Sequence, residues 1–233
     1  MGVKHVAIIL DGNRRFARAR GMLEFQGHQE GAKALERLLA WGAKLQGEEK
    51  DSYWIEQLSL FAFSMQNFNR SEAEKAFLMK IFEDSFTSLT NSKDVQRLGL
   101  RVDFLGRLEL LSKGVQRAIA VAREKTRNNS GFKLNFCVAY GGREEIIDAI
   151  NRMLKDGVKH PINEEIFSNF LYMKDEPEII IRTGDVTRTS NFLPWQSTYS
   201  EWFFLKKTWP EFTPDDFKQV IDEFQTRERR FGK

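Results

Sequence analysis

An α/β fold built on one mostly parallel sheet is what this sequence predicts, and three observations carry that expectation. Short apolar runs alternate with segments whose apolar residues fall at helical spacing. The runs are apolar almost continuously, as in strands covered by helices on both faces. No repeat, low-complexity tract or Pro/Gly-rich linker interrupts the alternation, so residues 1–233 read as a single domain: a central six-stranded sheet flanked by helices.

The strands are expected at "HVAIIL" (5–10), "LSLFAFS" (58–64), "RVDFLG" (101–106), "KLNFCVAY" (133–140), "EIIIRTG" (178–184) and "EWFFL" (201–205). Between them, Phe77, Leu78, Ile81, Phe82, Phe86 and Leu89 share one face of a helix over 77–89. Ile146, Ile147, Ile150, Met153 and Leu154 do the same over 144–154. The polar stretch "QGEEKDSYW" (46–54) reads as a surface loop.

Composition narrows the function. Lys and Arg number 36 against 33 Asp and Glu, a net charge of +3, which is too small to indicate nucleic-acid binding; any anion site must be local. Twenty phenylalanines and five tryptophans supply apolar wall material, enough for a Phe-heavy core or a lipid-shaped cavity. The single cysteine, Cys137, forms no internal disulfide and suits a reducing compartment. No apolar run is long enough to span a bilayer, and no signal peptide is expected ahead of the first strand.

The residues after the strands carry the chemistry. Asp11, Gly12, Asn13, Arg14 and Arg15 follow the first; Ser64, Asn67 and Arg70 follow the second; Arg182, Arg188 and Ser190 follow the fifth. Ligands of open α/β sheets bind outside the carboxyl ends of strands. Each group alone suits a turn or a helix cap, but together they put one acid, several guanidinium groups and neutral donors on one rim. Arginine forks match phosphate oxygens, and glycine lets backbone N–H groups approach closely. Neither a Walker loop nor a strand-coupled G-x-G-x-x-G is present. A carboxylate among arginines suits Mg²⁺ shared with substrate phosphates, and diphosphate esters fit the set. His5, His28 and His160 lie far apart, so no zinc site is expected; His28, in "QGHQEG" at a helix start, is a candidate phosphate contact.

Seven motifs in order, "HVAIILDGNRRFA", "GHQEG", "FAFSMQNFNRS", "FCVAYGGREEI", "IIIRTGDVTRTSNFLPWQSTYSEWFF", "WPEF" and "RERRFG", resemble the cis-prenyltransferases, which include undecaprenyl and dehydrodolichyl diphosphate synthases. The resemblance spans nearly the whole chain. It implies a hydrophobic tunnel beside the sheet and a Mg²⁺-dependent enzyme that condenses isopentenyl diphosphate onto an allylic diphosphate such as farnesyl diphosphate. The product would be a cis-polyprenyl diphosphate for polyprenol- or dolichol-type carriers. By the same resemblance Asp11 is the metal-linked catalytic acid, with Glu201 helping to place the metal, and Asn67 and Ser64 lie near the reacting carbons. Gly12, Asn13, Arg14, Arg15, His28 and Arg70 hold the allylic diphosphate. Arg182, Arg188 and Ser190 hold isopentenyl diphosphate, joined by the tail motif at Arg230 and Gly232 reaching across a homodimer.

The tunnel wall is expected from the 77–89 stripe and from Phe61, Phe63, Phe104, Phe136 and Val138. Glu24 stands where many members carry arginine, Met65 and Gln66 depart within a loop that is mobile in the family, and Asp185 adds a charge between Arg182 and Arg188 that is expected to face outward. Either a phosphate oxygen or an Asn67-organised network would take the proton lost from the new carbon. Location in the cytoplasm, or on the cytoplasmic face of a membrane (the endoplasmic reticulum in a eukaryote) with peripheral attachment, follows from the greasy product. Alternative readings are a noncatalytic subunit of a heteromeric enzyme and a family variant making a short or atypically linked product.

Overall fold

The computed structural model describes residues 3–159 and 161–227. Six strands, β1 (His5–Ile9), β2 (Gln57–Ser64), β3 (Arg101–Leu105), β4 (Lys133–Tyr140), β5 (Ile179–Arg182) and β6 (Glu201–Phe204), form one sheet in the order β3-β4-β2-β1-β5-β6. Every registered pair is parallel, so the expectation of a mostly parallel sheet becomes an all-parallel one. The helices are α1 (Asn13–Ala19), α2 (Gln26–Gly42), α3 (Gly47–Tyr53), α4 (Glu72–Leu89), α5 (Lys93–Arg97), α6 (Lys113–Thr126), α7 (Gly142–Lys155), α8 (Glu164–Ser168) and α9 (Pro214–Thr226).

The continuous apolar strands have the cause expected of them. Side chains alternate between faces, and both faces of β1 are buried. Val6 and Ile8 enter a large core with Leu58, Leu60, Leu134, Phe136 and side chains of α2, α4, α6 and α9. Ala7 and Ile9 enter a smaller core with Phe61, Cys137, Ile180, Phe192 and Leu193. Each large aliphatic side chain fully buried this way contributes roughly 1.5–3 kcal/mol. Phe86 meets Phe104 at 4.7 Å and Phe136 at 5.1 Å between ring centroids, so much of the phenylalanine excess packs between helix and sheet.

Two local readings change. Residues 46–54 are largely helical: Glu48 and Glu49 occupy the first turn of α3, where carboxylates complement the helix dipole, but none of its side chains is buried and no apolar stripe announces it. In α7, Ile147, Ile150 and Leu154 are exposed, whereas Glu145, Ala149 and Met153 face inward. Its inward face is thus set partly by a buried acid rather than by its most apolar side.

Candidate active site

The sheet order places β1 between β2 and β5, so the residues following these three strands meet at one edge. Asp11 is fixed there by its backbone. Thr183 Oγ1 accepts from the Asp11 N–H at 3.1 Å and donates to its carbonyl at 2.8 Å, and that carbonyl also accepts from the Trp209 N–H at 2.9 Å. Gly12 follows with φ 102°; a Cβ there would stand 2.7 Å from Thr208 Cβ, so glycine is required by both conformation and space.

The Asp11 carboxylate is held by cations and an amide. Oδ1 accepts from the Gly12 N–H at 2.6 Å and from Arg15 Nη2 at 3.3 Å; Oδ2 accepts from Arg182 Nη2 at 2.7 Å. Arg182 also donates through Nη1 to Ser190 Oγ at 2.7 Å and to the Arg188 carbonyl, while its buried Nε has no hydrogen-bond partner among the described residues. Arg188 Nε donates to the same Ser190 hydroxyl at 3.3 Å. Asp185, as expected, is exposed.

Across β1, a second cluster forms between the starts of α2 and α4. His28 Nε2 lies 3.4 Å from Arg70 Nη1, and Arg70 pairs with Glu74 at 3.0 Å. Burial, reinforced by the charges of Arg70 and Arg14, lowers the His28 pKa to about 4, so the ring is neutral at physiological pH. Arg14 pairs with Glu24, which also meets Arg18 at 3.0 Å. Ser64 and Asn67 lock one another: Asn67 Oδ1 accepts from the Ser64 N–H at 2.9 Å, and the Ser64 hydroxyl accepts in return from the Asn67 N–H.

A cavity of about 810 Å³ opens beside this cluster, with Asn13 and His28 in its wall. It runs between α2 and α4, where Leu78, Ile81, Phe82, Ser85, Phe86 and Leu89 line it, and Phe136 contributes from the sheet. Thus Leu78, Ile81, Phe82, Phe86 and Leu89 of the helix stripe and Phe136 are wall residues as expected, whereas Phe77 packs on Phe25 at 4.5 Å between ring centroids. Phe63, Phe104 and Val138 are instead core, and Phe61 stacks on Phe192 at 4.7 Å on the other side of the sheet. Ala62 shares the face of Leu58 and Leu60 and presents a small side chain to the cavity wall, and at the register shift between Phe61 and Phe63 the next residue, Phe63, joins that same core.

The structure therefore brings together Asp11, Gly12, Asn13, Arg14, Arg15, His28, Ser64, Asn67, Arg70, Arg182, Arg188 and Ser190 around one sheet edge. It does not bring Glu201 there. Glu201 starts β6 in register with Ile179, at the opposite end of the strands from Arg182, and pairs with Arg227 at 2.8 Å. Arg230 and Gly232 lie outside the described residues. Among the described residues, no group of three or more His, Cys, Asp or Glu side chains could by itself hold a metal ion, and no helix is long and apolar enough to cross a membrane. Thr183, Glu74 and Thr208 join the site without belonging to the residues expected from the sequence. The only sequence signals were a hydroxyl directly after Arg182 and an acid four residues after Arg70.

The chain matches the family model described as "Putative undecaprenyl diphosphate synthase" over residues 9–232. It is 45% identical to the tritrans,polycis-undecaprenyl-diphosphate synthase (geranylgeranyl-diphosphate specific) of Pyrococcus furiosus, over 99% of this chain and 87% of that protein. Identity to the enzyme of the same name from Methanocaldococcus jannaschii is 41%, over 99% of this chain and 82% of that protein. Among solved structures, lavandulyl diphosphate synthase from Lavandula x intermedia, in complex with dimethylallyl diphosphate, superposes with a TM-score of 0.87 at 32% identity, covering 99% of this chain and 98% of that one. A probable undecaprenyl diphosphate synthase from Campylobacter jejuni gives 0.80 at 31% identity, covering 99% of each chain. With this sheet order and near-complete coverage of both relatives and structures, the chain belongs to the undecaprenyl diphosphate synthase family and is a cis-prenyltransferase.

Proposed function

We propose that this enzyme lengthens an allylic diphosphate, geranylgeranyl diphosphate in particular, by successive cis additions of isopentenyl diphosphate, and that its product feeds a polyprenyl lipid carrier. The starter is suggested by the relatives, whose names specify geranylgeranyl diphosphate. The observation that carries the reading is the continuity between the Asn13–His28 end of the cationic cluster and the 810 Å³ cavity behind it. A charged head and a long hydrocarbon tail find matching surroundings in one place.

In this reading Gly12, Asn13, Arg14, Arg15, Arg70 and His28 receive the allylic diphosphate. Arg182, Arg188 and Ser190 receive that of isopentenyl diphosphate. Among the described residues, every arginine of the set except Arg188 already pairs with a protein carboxylate: Arg14 with Glu24, Arg70 with Glu74, and Arg15 and Arg182 with Asp11. Arg14 and Arg70 exchange these partners for phosphate oxygens on binding, which limits the desolvation cost of bringing in a dianionic head, while Arg15 and Arg182 keep Asp11 and offer phosphate their remaining N–H groups. His28, neutral, adds a hydrogen bond without competing charge. Asn67 holds the Ser64 turn through its amide oxygen, and an amide is too weak a base to remove a proton, so its part is to order the turn.

The donor set suits Mg²⁺: a single, partly exposed carboxylate at Asp11, to be completed by substrate oxygens and water, as this ion prefers. Asp11 would hold it, and the ion would stabilise charge on the departing diphosphate. Arg15 and Arg182 then serve to aim the Asp11 carboxylate. The cavity excludes water from the allylic carbon and the extended tail, and each methylene entering it contributes roughly 0.8 kcal/mol.

The exposed Ile147, Ile150 and Leu154 on α7 support a homodimer, which size-exclusion chromatography with light scattering tests. Peripheral membrane association would follow from the product. The function itself is tested by incubating purified protein with labelled isopentenyl diphosphate, Mg²⁺ and C5, C10, C15 or C20 allylic diphosphates and sizing the products. Long polyprenyl diphosphates, formed most efficiently from the C20 starter, support the reading; a single C5 addition or no product contradicts it.

A further inference from the structure

Among the described residues, five non-glycine side chains sit on left-handed backbone, and four of them are in one loop: Asp185, Ser190, Asn191 and Leu193. Residues with a Cβ adopt this conformation only where surrounding contacts over-determine it. The downstream anchor is apolar: Phe192 and Leu193 are fully buried. The upstream anchor is polar and centres on Asn191, which meets the first turn of α7 three times. Its carbonyl accepts from the Gly142 N–H at 2.8 Å, its Oδ1 accepts from the Arg143 N–H at 2.9 Å, and its Nδ2 donates to Glu144 Oε2 at 2.9 Å.

The surroundings are shaped for this contact. A Cβ on Gly141 would come 2.1 Å from Glu144 Oε2 and 2.9 Å from Asn191 Nδ2; one on Gly142 would come 1.9 Å from Pro194 Cδ. Next to Asn191 is Ser190, whose hydroxyl accepts from both Arg182 and Arg188. The carbonyl of Arg188 accepts from Arg182 as well. The course of the backbone at 190–191 therefore decides where two of the three groups around the Arg182 guanidinium stand; Asp11 is the third.

We propose that Asn191 and Glu144 are positioning residues for the isopentenyl diphosphate pocket: their side-chain pair holds the left-handed loop that turns Ser190 and Arg188 onto Arg182. The inference rests on the assignment of that pocket to Arg182, Arg188 and Ser190. It adds two residues that touch no substrate and act from the start of α7.

The polarity of the pair supplies the test. Asn191→Asp keeps the acceptor for the Arg143 N–H but sets an oxygen against the Glu144 carboxylate. Glu144→Gln alone keeps an acceptor for Asn191 Nδ2. Together the two changes restore a donor–acceptor pair with its direction reversed. Losing the contact and facing two carboxylates should raise the KM for isopentenyl diphosphate about tenfold in Asn191→Asp, with the allylic KM within about twofold. Glu144→Gln should stay within about twofold of the parent, and the double variant should recover to within about threefold.

Asn191→Gly, which accepts the left-handed backbone without strain, gives the same reading should Asn191→Asp fold poorly by thermal unfolding. It should also raise the isopentenyl KM selectively. Arg188→Ala is measured alongside. If it raises the isopentenyl KM while the Asn191 variants leave it unchanged or raise both KM values equally, or while Asn191→Asp is not rescued by Glu144→Gln, the positioning role is wrong and the pocket stands. If Arg188→Ala acts on the allylic KM instead, the pocket assignment itself falls.

Discussion

Arg182 Nη2 meets Asp11 Oδ2 at 2.7 Å, and the two side chains differ sharply in exposure: 3% for the guanidinium and 30% for the carboxylate. The arginine is a fixed part of the interior, and the acid is the face it presents to whatever binds. Because one partner is wet, the pair is worth less than a fully buried one, yet its geometry sets where a cation or diphosphate can sit.

Asp11→Ala should therefore act on turnover far more than on folding. Removing the carboxylate should lower kcat by roughly 10²–10³-fold or more. Arg182 keeps Ser190 and the Arg188 carbonyl, so the stability loss should be about 1–3 kcal/mol. Steady-state kinetics with saturating Mg²⁺ and urea unfolding check the two parts; near-parental turnover would refute the role given to Asp11.

Arg188 is exposed and donates to Ser190 from the rim. Replacing it by alanine should raise the KM for isopentenyl diphosphate about tenfold or more while leaving the allylic KM nearly unchanged, as expected for loss of one charge-assisted phosphate contact. Initial rates with each substrate varied in turn decide this.

His28 predicts an acid sensitivity whose sign is fixed. Its pKa is about 4 in the folded chain against 6.5 for the free side chain, and His5, also lowered to about 4 by burial, behaves alike. Between those values the unfolded state binds more protons, so stability falls as pH drops from about 6.5 towards 4 and is unaffected by these groups above that window. Each histidine should account for up to roughly 3 kcal/mol of the loss. Melting curves of the parent and His28→Gln across pH 4–7 should show a shallower slope in the variant; identical slopes would contradict a buried neutral His28.

Ser85 lines the cavity from α4. Filling that position with Ser85→Trp should shorten the product by several isoprene units while leaving the first condensation intact, because the cationic cluster lies at the Asn13–His28 end. Thin-layer or mass analysis of the prenyl products reads the change directly.

Gly12→Ala should fail on stability and activity together. The new Cβ would enter Thr208 at φ 102°, a combination costing about 2 kcal/mol or more. Thr208→Ala should leave the loss largely uncorrected, since Thr208 Cβ and Cα remain in the way.

What the sequence made legible follows from where its signals are strongest. Doubly buried strands such as β1 and β4 announce themselves as continuous apolar runs, so the sheet was readable from composition and spacing. So was the rim, because Asp11, Ser64 and Arg182 stand at strand ends. Helix α3 was not readable, since it buries nothing. The cavity wall was readable only in part: whether Phe61 or Phe136 faces the cavity depends on the register of β2 with β4, which puts Phe136 beside Leu60 on one face and Phe61 beside Cys137 on the other. Glu201 shows the same limit, for a residue's place along a strand is visible in the sequence while the end of the sheet it occupies depends on pairing with β5. The Thr183–Asp11 and Glu144–Asn191 contacts were hidden because their partners come from distant parts of the chain, whereas the Arg70–Glu74 pair has an i,i+4 spacing that the sequence does display.

Two prenyl diphosphates are expected to meet at the carboxyl edge of β1, β2 and β5 with the growing tail between α2 and α4. The most direct measurement is a crystal structure with isopentenyl diphosphate and a non-ionisable thio analogue of the C20 allylic diphosphate. One diphosphate should lie on Arg14, Arg15, His28 and Arg70, the other on Arg182, Arg188 and Ser190, and the hydrocarbon against Leu78, Phe82 and Phe86. A hydrocarbon lodged on any other face of the sheet, or the two heads interchanged, would contradict it.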